Sequence, residues 1–216
     1  MTGIAEASAA AIPAARQPPW LYLDANVLLP QYLRAVFLEL ADADLVRVHW
    51  GQQVLAEVRR HLAGPRFGNK SPASIDKLLA AMARAFPDAL VLGSEKLEAR
   101  FQAKTHPKDA HVAAGALKLS GSAREGQGVV LVTSNIRDLP ASAFEGMPVR
   151  PVRPNLLLKE LLAADAGVAD VLARMLERFK APPVAKEDFL GVLENSNCGG
   201  FATVLGKEWG FDAAAR

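Results

Sequence analysis

The chain has 216 residues, of which 50% are hydrophobic and 22% are charged, and its 25 Lys and Arg against 23 Asp and Glu give a net charge of +2. A chain of this length and composition can bury a sizeable core. Its charge is too balanced to indicate nucleic-acid binding by the whole surface, so any such binding must come from a local patch.

Several classes of protein are disfavoured by what the sequence lacks. The single cysteine, Cys198, cannot form an internal disulfide, and no Cys and His cluster has the spacing of a zinc site, so a cytoplasmic location is expected. The chain has no apolar run of the roughly 20 residues that span a membrane. It also lacks a Gly-rich phosphate loop with a following Lys and a Gly-x-Ser-x-Gly sequence, which disfavours ATP-driven chemistry and an α/β-hydrolase.

The N-terminal segment 1–19 is rich in Ala and is predicted to be a flexible tail. It lacks a basic beginning, and Glu6 precedes its most apolar part, so a signal peptide is not expected. From Trp20 onwards, short apolar runs predict strands, and apolar residues at helical spacing predict helices. Up to residue 92, the predicted strands are 20–23, 45–50 and 90–92. The predicted helices of the same part are 30–40, 51–62 and 74–86.

The next part of the chain continues this alternation. The Ala-rich stretch 109–119 predicts a helix with Asp109 in its first turn. A loop rich in Gly and Ser, 120–128, leads into the apolar run 129–133, the clearest strand of the sequence. Together these elements predict an α/β domain over 20–154, with a doubly wound, mostly parallel central sheet flanked by helices. In such sheets the ligand site lies beyond the carboxyl ends of the strands.

After Pro154 the sequence becomes helical. Gly167 and the pair Pro182 and Pro183 separate the predicted helices. Those helices are 156–165, 168–180 and 186–194. We therefore predict a helical C-terminal extension over 155–216, which covers the domain or offers a surface to a partner.

Three acidic residues occupy positions that a parallel sheet brings together. Asp24 follows the first strand, Glu57 lies on a helix beside its apolar stripe, and Asp109 begins a helix, while Asn135 follows a later strand. Three neighbouring carboxylates repel one another, so they either take up protons or bind a cation, and hard oxygen ligands suit Mg²⁺ or Mn²⁺. Because such a cation acidifies water and neutralises charge on phosphate, the site is suited to phosphodiester hydrolysis.

Each of these residues also has a purely structural explanation. Asp24 and Asp109 are common types of turn or helix-cap residue, and Glu57 could be a solvated residue on the surface of its helix. Asn135 and Asp138 lie in a loop where side-chain turns need no function. The histidines share no spacing and are predicted to be structural or solvated; they are His49, His61, His106 and His111. Spacing alone leaves these explanations open.

Four segments carry a resemblance to a known family. They are 23–29 (LDANVLL), 55–58 (LAEV), 108–114 (KDAHVAA) and 131–140 (LVTSNIRDLP). In this order they resemble segments of the PIN-domain family, and the most similar members are bacterial toxins of the VapC type. The resemblance spans 21–154 and implies a doubly wound fold with a parallel sheet and the activity of a metal-dependent endoribonuclease.

The resemblance also implies roles for individual residues. The implied metal ligands are Asp24, Glu57 and Asp109, which together with Asn135 are the predicted catalytic residues. The fourth family position is often Asp, whereas Asn135 stands here, which leaves open whether one metal ion or two bind. Asp138, one helical turn later, is predicted to supply part of the missing carboxylate as a fourth metal ligand. Short polar side chains are predicted to orient the carboxylates; they are Asn26, Thr133 and Ser134.

The predicted substrate is RNA, held by cations around the acidic pocket. The candidate cations are Arg59, Arg60, Arg66, Lys70, Lys104, Lys108 and Arg137. The resemblance further implies a toxin that is neutralised by a small antitoxin protein, which inserts a segment, often with an Arg, into the pocket. A homodimer is also implied, and no contact with a membrane is expected.

Two other functions remain open at this point. The first is a catalytically inactive PIN-fold scaffold that binds RNA or protein; Asn135 favours it, while the three acidic residues argue against it. The second is a phosphatase similar to the haloacid dehalogenases. That chemistry uses an Asp-x-Asp sequence after the first strand, and this chain has Asp24, Ala25 and Asn26 there.

Overall fold

Five parallel strands form the central sheet of the computed structural model, which describes residues 17–123, 127–180 and 182–211. They are β1 (Trp20–Leu23), β2 (Arg47–Gly51), β3 (Leu90–Val91), β4 (Val129–Val132) and β5 (Val149–Val152). Their order across the sheet is β3-β2-β1-β4-β5, and every pairing is parallel. The chain builds one half of the sheet outwards from β1 and then returns to build the other half on the opposite side of β1. The predicted α/β fold with a doubly wound parallel sheet is confirmed.

Ten α-helices accompany the sheet within the described residues. Those that precede β5 are α1 (Ala25–Leu28), α2 (Gln31–Asp42), α3 (Gln52–Leu62), α4 (Pro72–Ala85), α5 (Glu95–Glu98) and α6 (Ala110–Ser120). Those that follow β5 are α7 (Pro154–Ala164), α8 (Gly167–Glu177), α9 (Lys186–Asn195) and α10 (Gly199–Glu208). Short 3₁₀ helices occupy Pro65–Phe67, Pro87–Ala89, Pro107–Asp109 and Ala141–Phe144.

The start of β2 and the end of α8 differ from the prediction, and backbone hydrogen bonds explain both differences. β2 begins at Arg47 rather than at residue 45, because Asp44 has a positive φ of 56° and the N–H of Leu45 still donates to Leu40 of α2. α8 ends at Glu177, three residues before its predicted end. The N–H groups of the next two residues donate to carbonyls only three residues back, so the last turn tightens there.

Several elements were not predicted from the sequence. Pro151 lies inside β5 and argues against a strand, and the sheet tolerates it because β5 is an edge strand. α10 begins with two glycines, which are poor helix formers. Its first turn is instead held by the side chain of Asn155, which accepts the N–H of Phe201 at 2.7 Å. Much of the predicted tail, three residues of the predicted loop 120–128 and the last residues of the extension lie outside the described ranges.

α6 packs closely on the sheet because its inner residues are small. The segment from Ala110 to Ala116 is buried throughout. Tyr22 of β1 is only 1% exposed, and a Cβ atom added at Gly115 would lie 2.0 Å from its hydroxyl oxygen, while one added at Gly51 would lie 2.4 Å away. Glycine is required at these two positions by the approach of Tyr22 rather than by a turn. The contact fixes β1, which leads to Asp24, against α6, which follows Asp109.

The last four helices pack together and onto the rest of the chain. α7 contacts α8 and α10, and α8 packs on α2. Their buried residues, among them Leu158, Leu172 and Phe201, belong to the same hydrophobic cluster as the strands. The C-terminal extension is therefore helical, while its division from the domain at residue 154 stays a prediction. Within the described ranges, no helix combines the length and the apolar character that crossing a membrane requires.

Candidate functional site

Asp24 lies immediately after β1, at the carboxyl edge of the sheet. Its N–H donates to the carbonyl of Val132 on β4 at 3.1 Å, and its side chain is only 5% exposed. Its Oδ2 accepts hydrogen bonds from Oγ1 of Thr133 at 2.6 Å and from Nδ2 of Asn26 at 2.5 Å. The carboxylate is therefore fixed both by the residue that follows β4 and by the first turn of α1.

Burial raises the pKa of Asp24 from its ordinary 3.8 to about 6. The Thr133 hydroxyl and the N–H of Ala25 lower it, whereas the charges of Asp109 and Glu57 raise it further. Burial is the largest cause because the carboxylate loses its hydration. The smaller electrostatic effects indicate that Asp109 and Glu57 lie near enough to Asp24 for their charges to reach it.

The short polar residues around Asp24 form one connected network. Asn26 donates to Oγ1 of Thr133 at 3.1 Å, and its own Oδ1 accepts the N–H of Ser134 at 3.0 Å. Thr133 is fully buried, and its Oγ1 also accepts the N–H of Asn135 at 3.0 Å. Asn26 and Thr133 thus hold the carboxylate directly. Ser134 takes part through its backbone, and its side chain is exposed.

Asp109 lies at the N-terminal end of α6 and is partly exposed. Its Oδ2 accepts a hydrogen bond from Nδ2 of Asn135 at 3.1 Å, so the residue at the fourth family position contacts a predicted metal ligand directly. Burial is the largest cause of a raised pKa at Asp109, followed by the charge of Asp138. His106, His111 and Lys108 act in the opposite direction.

Neither of these aspartates acts as a helix cap. Asp24 stands at the N-cap position of α1 and Asp109 at that of α6, yet neither side chain makes a capping hydrogen bond. Ser71 does so at the start of α4, where its hydroxyl accepts the N–H of Ser74 at 3.3 Å. Capping by a side-chain hydrogen bond therefore does not account for either aspartate, while a role in the turn or at the helix dipole stays open.

Glu57 on α3 faces His111 on α6. Nε2 of His111 lies 3.6 Å from Oε1 of Glu57, beyond hydrogen-bond distance, and although it is buried it has no hydrogen-bond partner among the described residues. The Glu57 side chain is 27% exposed, so it is not fully solvated as a surface residue would be. The sequence predicted His111 to be structural or solvated and missed this placement. The available signal was a polar residue in the buried Ala-rich face of α6, two positions after Asp109.

The other histidines behave as predicted, without a shared site. The ring of His49 stacks on that of Trp20, with the centroids 4.9 Å apart, and burial lowers its pKa. Nδ1 of His106 accepts the N–H of Lys108 at 3.3 Å. The side chain of His61 is near that of Arg60 on the exposed side of α3.

Asp138 lies in the loop that follows β4. Its carbonyl accepts the N–H of His106 at 3.0 Å, which joins this loop to the segment before α6. Lys104 and Lys108 lie on one of the two joined segments and Arg137 on the other. Two of the other candidate cations already have partners: Arg59 pairs with Asp76 at 2.5 Å, and Arg66 lies over the ring of Phe67.

The predicted ligands share one region but do not form a closed metal site. Across the part of the chain that the structure describes, no group of three or more His, Cys, Asp or Glu is arranged to hold a metal ion. Each carboxylate instead faces its own neighbour, Asp24 with Thr133, Asp109 with Asn135 and Glu57 with His111.

Comparison of the chain with family models, with curated proteins and with solved structures finds no match. The likeness to the PIN-domain family therefore stays a resemblance of four short segments. A function has to be argued from the carboxyl edge of the sheet itself.

Proposed function

We propose that this protein is a metal-dependent endoribonuclease that hydrolyses phosphodiester bonds of RNA with Mg²⁺ or Mn²⁺. The observation that carries the proposal is the buried carboxylate of Asp24 at the carboxyl edge of the sheet, close enough to Asp109 and Glu57 to be affected by their charges. A carboxylate whose pKa is raised destabilises the fold when it is charged. Asp24 also follows β1 where that strand neighbours β4, the point at which the strand order changes direction, and ligands of doubly wound sheets bind at that point.

The side chains present fit a hard divalent cation in chemistry. Asp24, Glu57 and Asp109 offer carboxylate oxygens, which are the ligands that Mg²⁺ and Mn²⁺ prefer, and no thiol or paired imidazoles compete. Burial is the largest cause of the raised pKa of Asp24 and Asp109, and a cation would relieve the repulsion by neighbouring carboxylates that adds to it. When bound, Mg²⁺ supplies a more acidic water and neutralises charge on the phosphate.

The remaining roles belong to the residues of this chain. Thr133 and Asn26 keep the Asp24 carboxylate at the sheet edge, and Asn135 does the same for Asp109 through its amide group. Glu57 faces His111, with Oε1 and Nε2 3.6 Å apart. These hydrogen bonds hold the carboxylates of Asp24 and Asp109 in place before substrate binds, and such preorganisation is a main protein contribution to a reaction of this type.

We further propose that the RNA backbone is held by cations on the two loops beside Asp109. Lys104, Lys108 and Arg137 lie on these loops, and the hydrogen bond between His106 and Asp138 keeps the loops together. Phosphate contacts of this kind set affinity and make it dependent on salt. By the resemblance to VapC proteins, the enzyme is a cytoplasmic toxin that forms a homodimer and is inhibited by an antitoxin protein whose Arg enters the pocket.

A second candidate function is an inactive scaffold that keeps the fold and binds RNA or protein. The contact between Asn135 and Asp109 favours it, because an amide donor occupies one oxygen of a predicted metal ligand. The lack of a closed ligand set among the described residues favours it as well.

Cleavage of a mixed RNA pool by the purified chain tests the proposal. We expect cleavage with Mg²⁺ or Mn²⁺, none with EDTA, and none by Asp109→Asn, which also excludes a contaminating nuclease. Asp188→Asn on the exposed side of α9 is the matched control and should cleave normally. Cleavage that survives in Asp109→Asn, or no cleavage with either metal, would overturn the ribonuclease and leave the scaffold.

A further inference from the structure

His111 is a polar side chain among the apolar buried residues of α6. Its neighbours Ala110, Val112, Ala113 and Ala114 are almost completely buried, and the His111 side chain itself is only 9% exposed. An imidazole in such surroundings is unfavourable unless its nitrogen atoms find partners. The position of this ring therefore calls for a group that satisfies it.

The Nε2 atom of His111 lacks such a group. It is buried, and the residues that the structure describes offer it no hydrogen-bond partner. It faces Oε1 of Glu57 on α3, but the two atoms are 3.6 Å apart. An ion pair elsewhere on this protein is closer, since Arg150 and Glu160 approach to 2.9 Å. His111 and Glu57 therefore face each other without closing into a hydrogen bond.

The separation of these two atoms leaves room for a cation. A hydrogen bond between nitrogen and oxygen is about 2.7–3.2 Å long. Two atoms that ligate one cation at about 2.1 Å are about 3.0 Å apart at a right angle and about 3.4 Å apart at a tetrahedral angle. The gap of 3.6 Å is thus too long for a hydrogen bond and of the order that a shared cation needs.

The chemistry of the two groups favours a transition metal over Mg²⁺. Mg²⁺ takes oxygen ligands, whereas imidazole nitrogen suits first-row transition metals, and Mn²⁺ is the member of that series that carboxylates also suit. Asp24 and Asp109, in the same region, offer only oxygen atoms. One nitrogen among several oxygens therefore fits Mn²⁺ better than zinc, whose sites use thiols or several imidazoles.

We propose that Nε2 of His111 and the carboxylate of Glu57 hold one divalent cation together, and that this nitrogen ligand makes the site prefer Mn²⁺ to Mg²⁺. The inference rests on the metal site of the proposed function and adds a ligand that the resemblance does not imply. No group of three ligands is assembled among the described residues, but a divalent cation held by two side chains completes its coordination with water.

Pulsed EPR of Mn²⁺ bound to the full chain tests the nitrogen ligand directly and without RNA. We expect the hyperfine coupling of an imidazole nitrogen in the wild type and its loss in His111→Gln. His61→Gln, which removes an exposed histidine of α3, is the matched control and should keep the coupling. Bound Mn²⁺ without nitrogen coupling in the wild type, or coupling that survives in folded His111→Gln, overturns the inference.

The same measurement decides the question if His111→Gln does not fold. The chain has four histidines, so substitution of each of the other three identifies the ligand by elimination. His49→Gln, His61→Gln and His106→Gln should all keep the nitrogen coupling. Its loss in any one of them would assign the ligand to that histidine and overturn the role of His111.

Calorimetric titration with Mn²⁺ and with Mg²⁺ tests the preference. In His111→Gln the affinity for Mn²⁺ should fall at least about tenfold, because even residues that only orient metal ligands change affinity by about 10- to 100-fold. The affinity for Mg²⁺ should stay nearly unchanged, and His61→Gln should alter neither. An equal loss for both metals would mean that His111 acts through the fold, and this overturns the preference.

The outcomes separate this inference from the ribonuclease. Metal-dependent cleavage of RNA without nitrogen coupling overturns the role of His111 while the ribonuclease stands. Nitrogen coupling that depends on His111, in a protein that cleaves no RNA, supports the nitrogen ligand and overturns the ribonuclease. Absence of Mn²⁺ binding overturns both.

Discussion

Tyr22 and Asp24 are two residues apart, and both are almost completely buried, but their surroundings have opposite energetic consequences. The Tyr22 ring fills the space between β1, Gly51 and Gly115, and packing of this kind stabilises the fold. Burial of the Asp24 carboxylate raises its pKa, to which the charges of Asp109 and Glu57 add, and this opposes folding at neutral pH. We refer to the two regions as the tyrosine contact and the acidic edge.

β1 therefore contributes to both regions, one of which stabilises the fold and one of which does not. The tyrosine contact fixes β1 against α6 within the core, and the acidic edge begins where that strand ends and α6 starts. Rigid packing next to the acidic edge, together with hydrogen bonds from Thr133, Asn26 and Asn135, keeps Asp24 and Asp109 in place. Substitutions at the tyrosine contact should therefore destabilise the protein, whereas neutralisation of a carboxylate at the acidic edge should stabilise it.

The largest loss of stability is expected for Gly115→Ala in the tyrosine contact. Its added Cβ atom would lie 2.0 Å from the Tyr22 hydroxyl oxygen and 2.3 Å from the ring carbon that bears it. Overpacking of a dense core costs roughly 1–3 kcal/mol, and about 3 kcal/mol is expected here because the obstacle is a rigid ring. Urea unfolding measures the effect. Gly191→Ala on α9, with open space around its Cβ position, is the control and should not destabilise the protein.

A gain of folding stability, rather than a loss, is expected for Asp24→Asn at the acidic edge. The pKa of Asp24 is raised in the folded protein, so the folded state binds its proton more tightly than the unfolded state. The resulting stability is present below about pH 4 and is lost as the pH rises through about 6. The shift corresponds to about 3 kcal/mol.

In EDTA, Asp24→Asn should therefore be more stable than the wild type by about 2–3 kcal/mol at pH 7.5, and the gain should vanish near pH 4. Urea unfolding of both proteins at the two pH values measures the difference. Asp188→Asn is again the control for a lost exposed charge. A destabilised Asp24→Asn at pH 7.5 would show that the carboxylate has a structural role.

A smaller loss of stability is expected for Gly51→Ala, and it distinguishes the contribution of the Tyr22 hydroxyl from that of the ring. A Cβ atom at Gly51 would meet the Tyr22 hydroxyl oxygen at 2.4 Å but the nearest ring carbon only at 3.6 Å. Gly51→Ala should therefore cost about 1–2 kcal/mol in the wild type and distinctly less in a Tyr22→Phe background. A double-mutant cycle by thermal unfolding measures this coupling. Additive losses would mean that the hydroxyl is not the obstacle.

The smallest effect is expected for Asn135→Asp, which restores the acid of the fourth family position. A second carboxylate beside Asp109 should lower stability in EDTA by about 1 kcal/mol and make Mn²⁺ binding about tenfold tighter. Asn195→Asp, which adds the same charge in the exposed last turn of α9, should leave Mn²⁺ binding unchanged. If Asn135→Asp leaves Mn²⁺ binding unchanged, Asn135 is not part of a metal site.

The sequence was sufficient for the parallel sheet, because each buried strand is a short apolar run that ends at a polar residue. It was not sufficient for β5, where Pro151 obscures an edge strand, or for α10, where Asn155 far along the chain satisfies a weak helix start. The placement of Asp24, Asp109 and Asn135 near one another followed from strand order. The contact of His111 with Glu57 did not, because it depends on how α3 and α6 face each other.

The most direct test of the acidic edge is calorimetric titration of the full chain with Mn²⁺ at pH 7.5, beside Asp24→Asn. We expect saturable binding to the wild type and a loss of more than about a hundredfold in affinity in Asp24→Asn, because even residues that only orient metal ligands change affinity by 10- to 100-fold. Equal binding by the two proteins, or none by the wild type at millimolar Mn²⁺, would contradict the assignment of these carboxylates as a metal site.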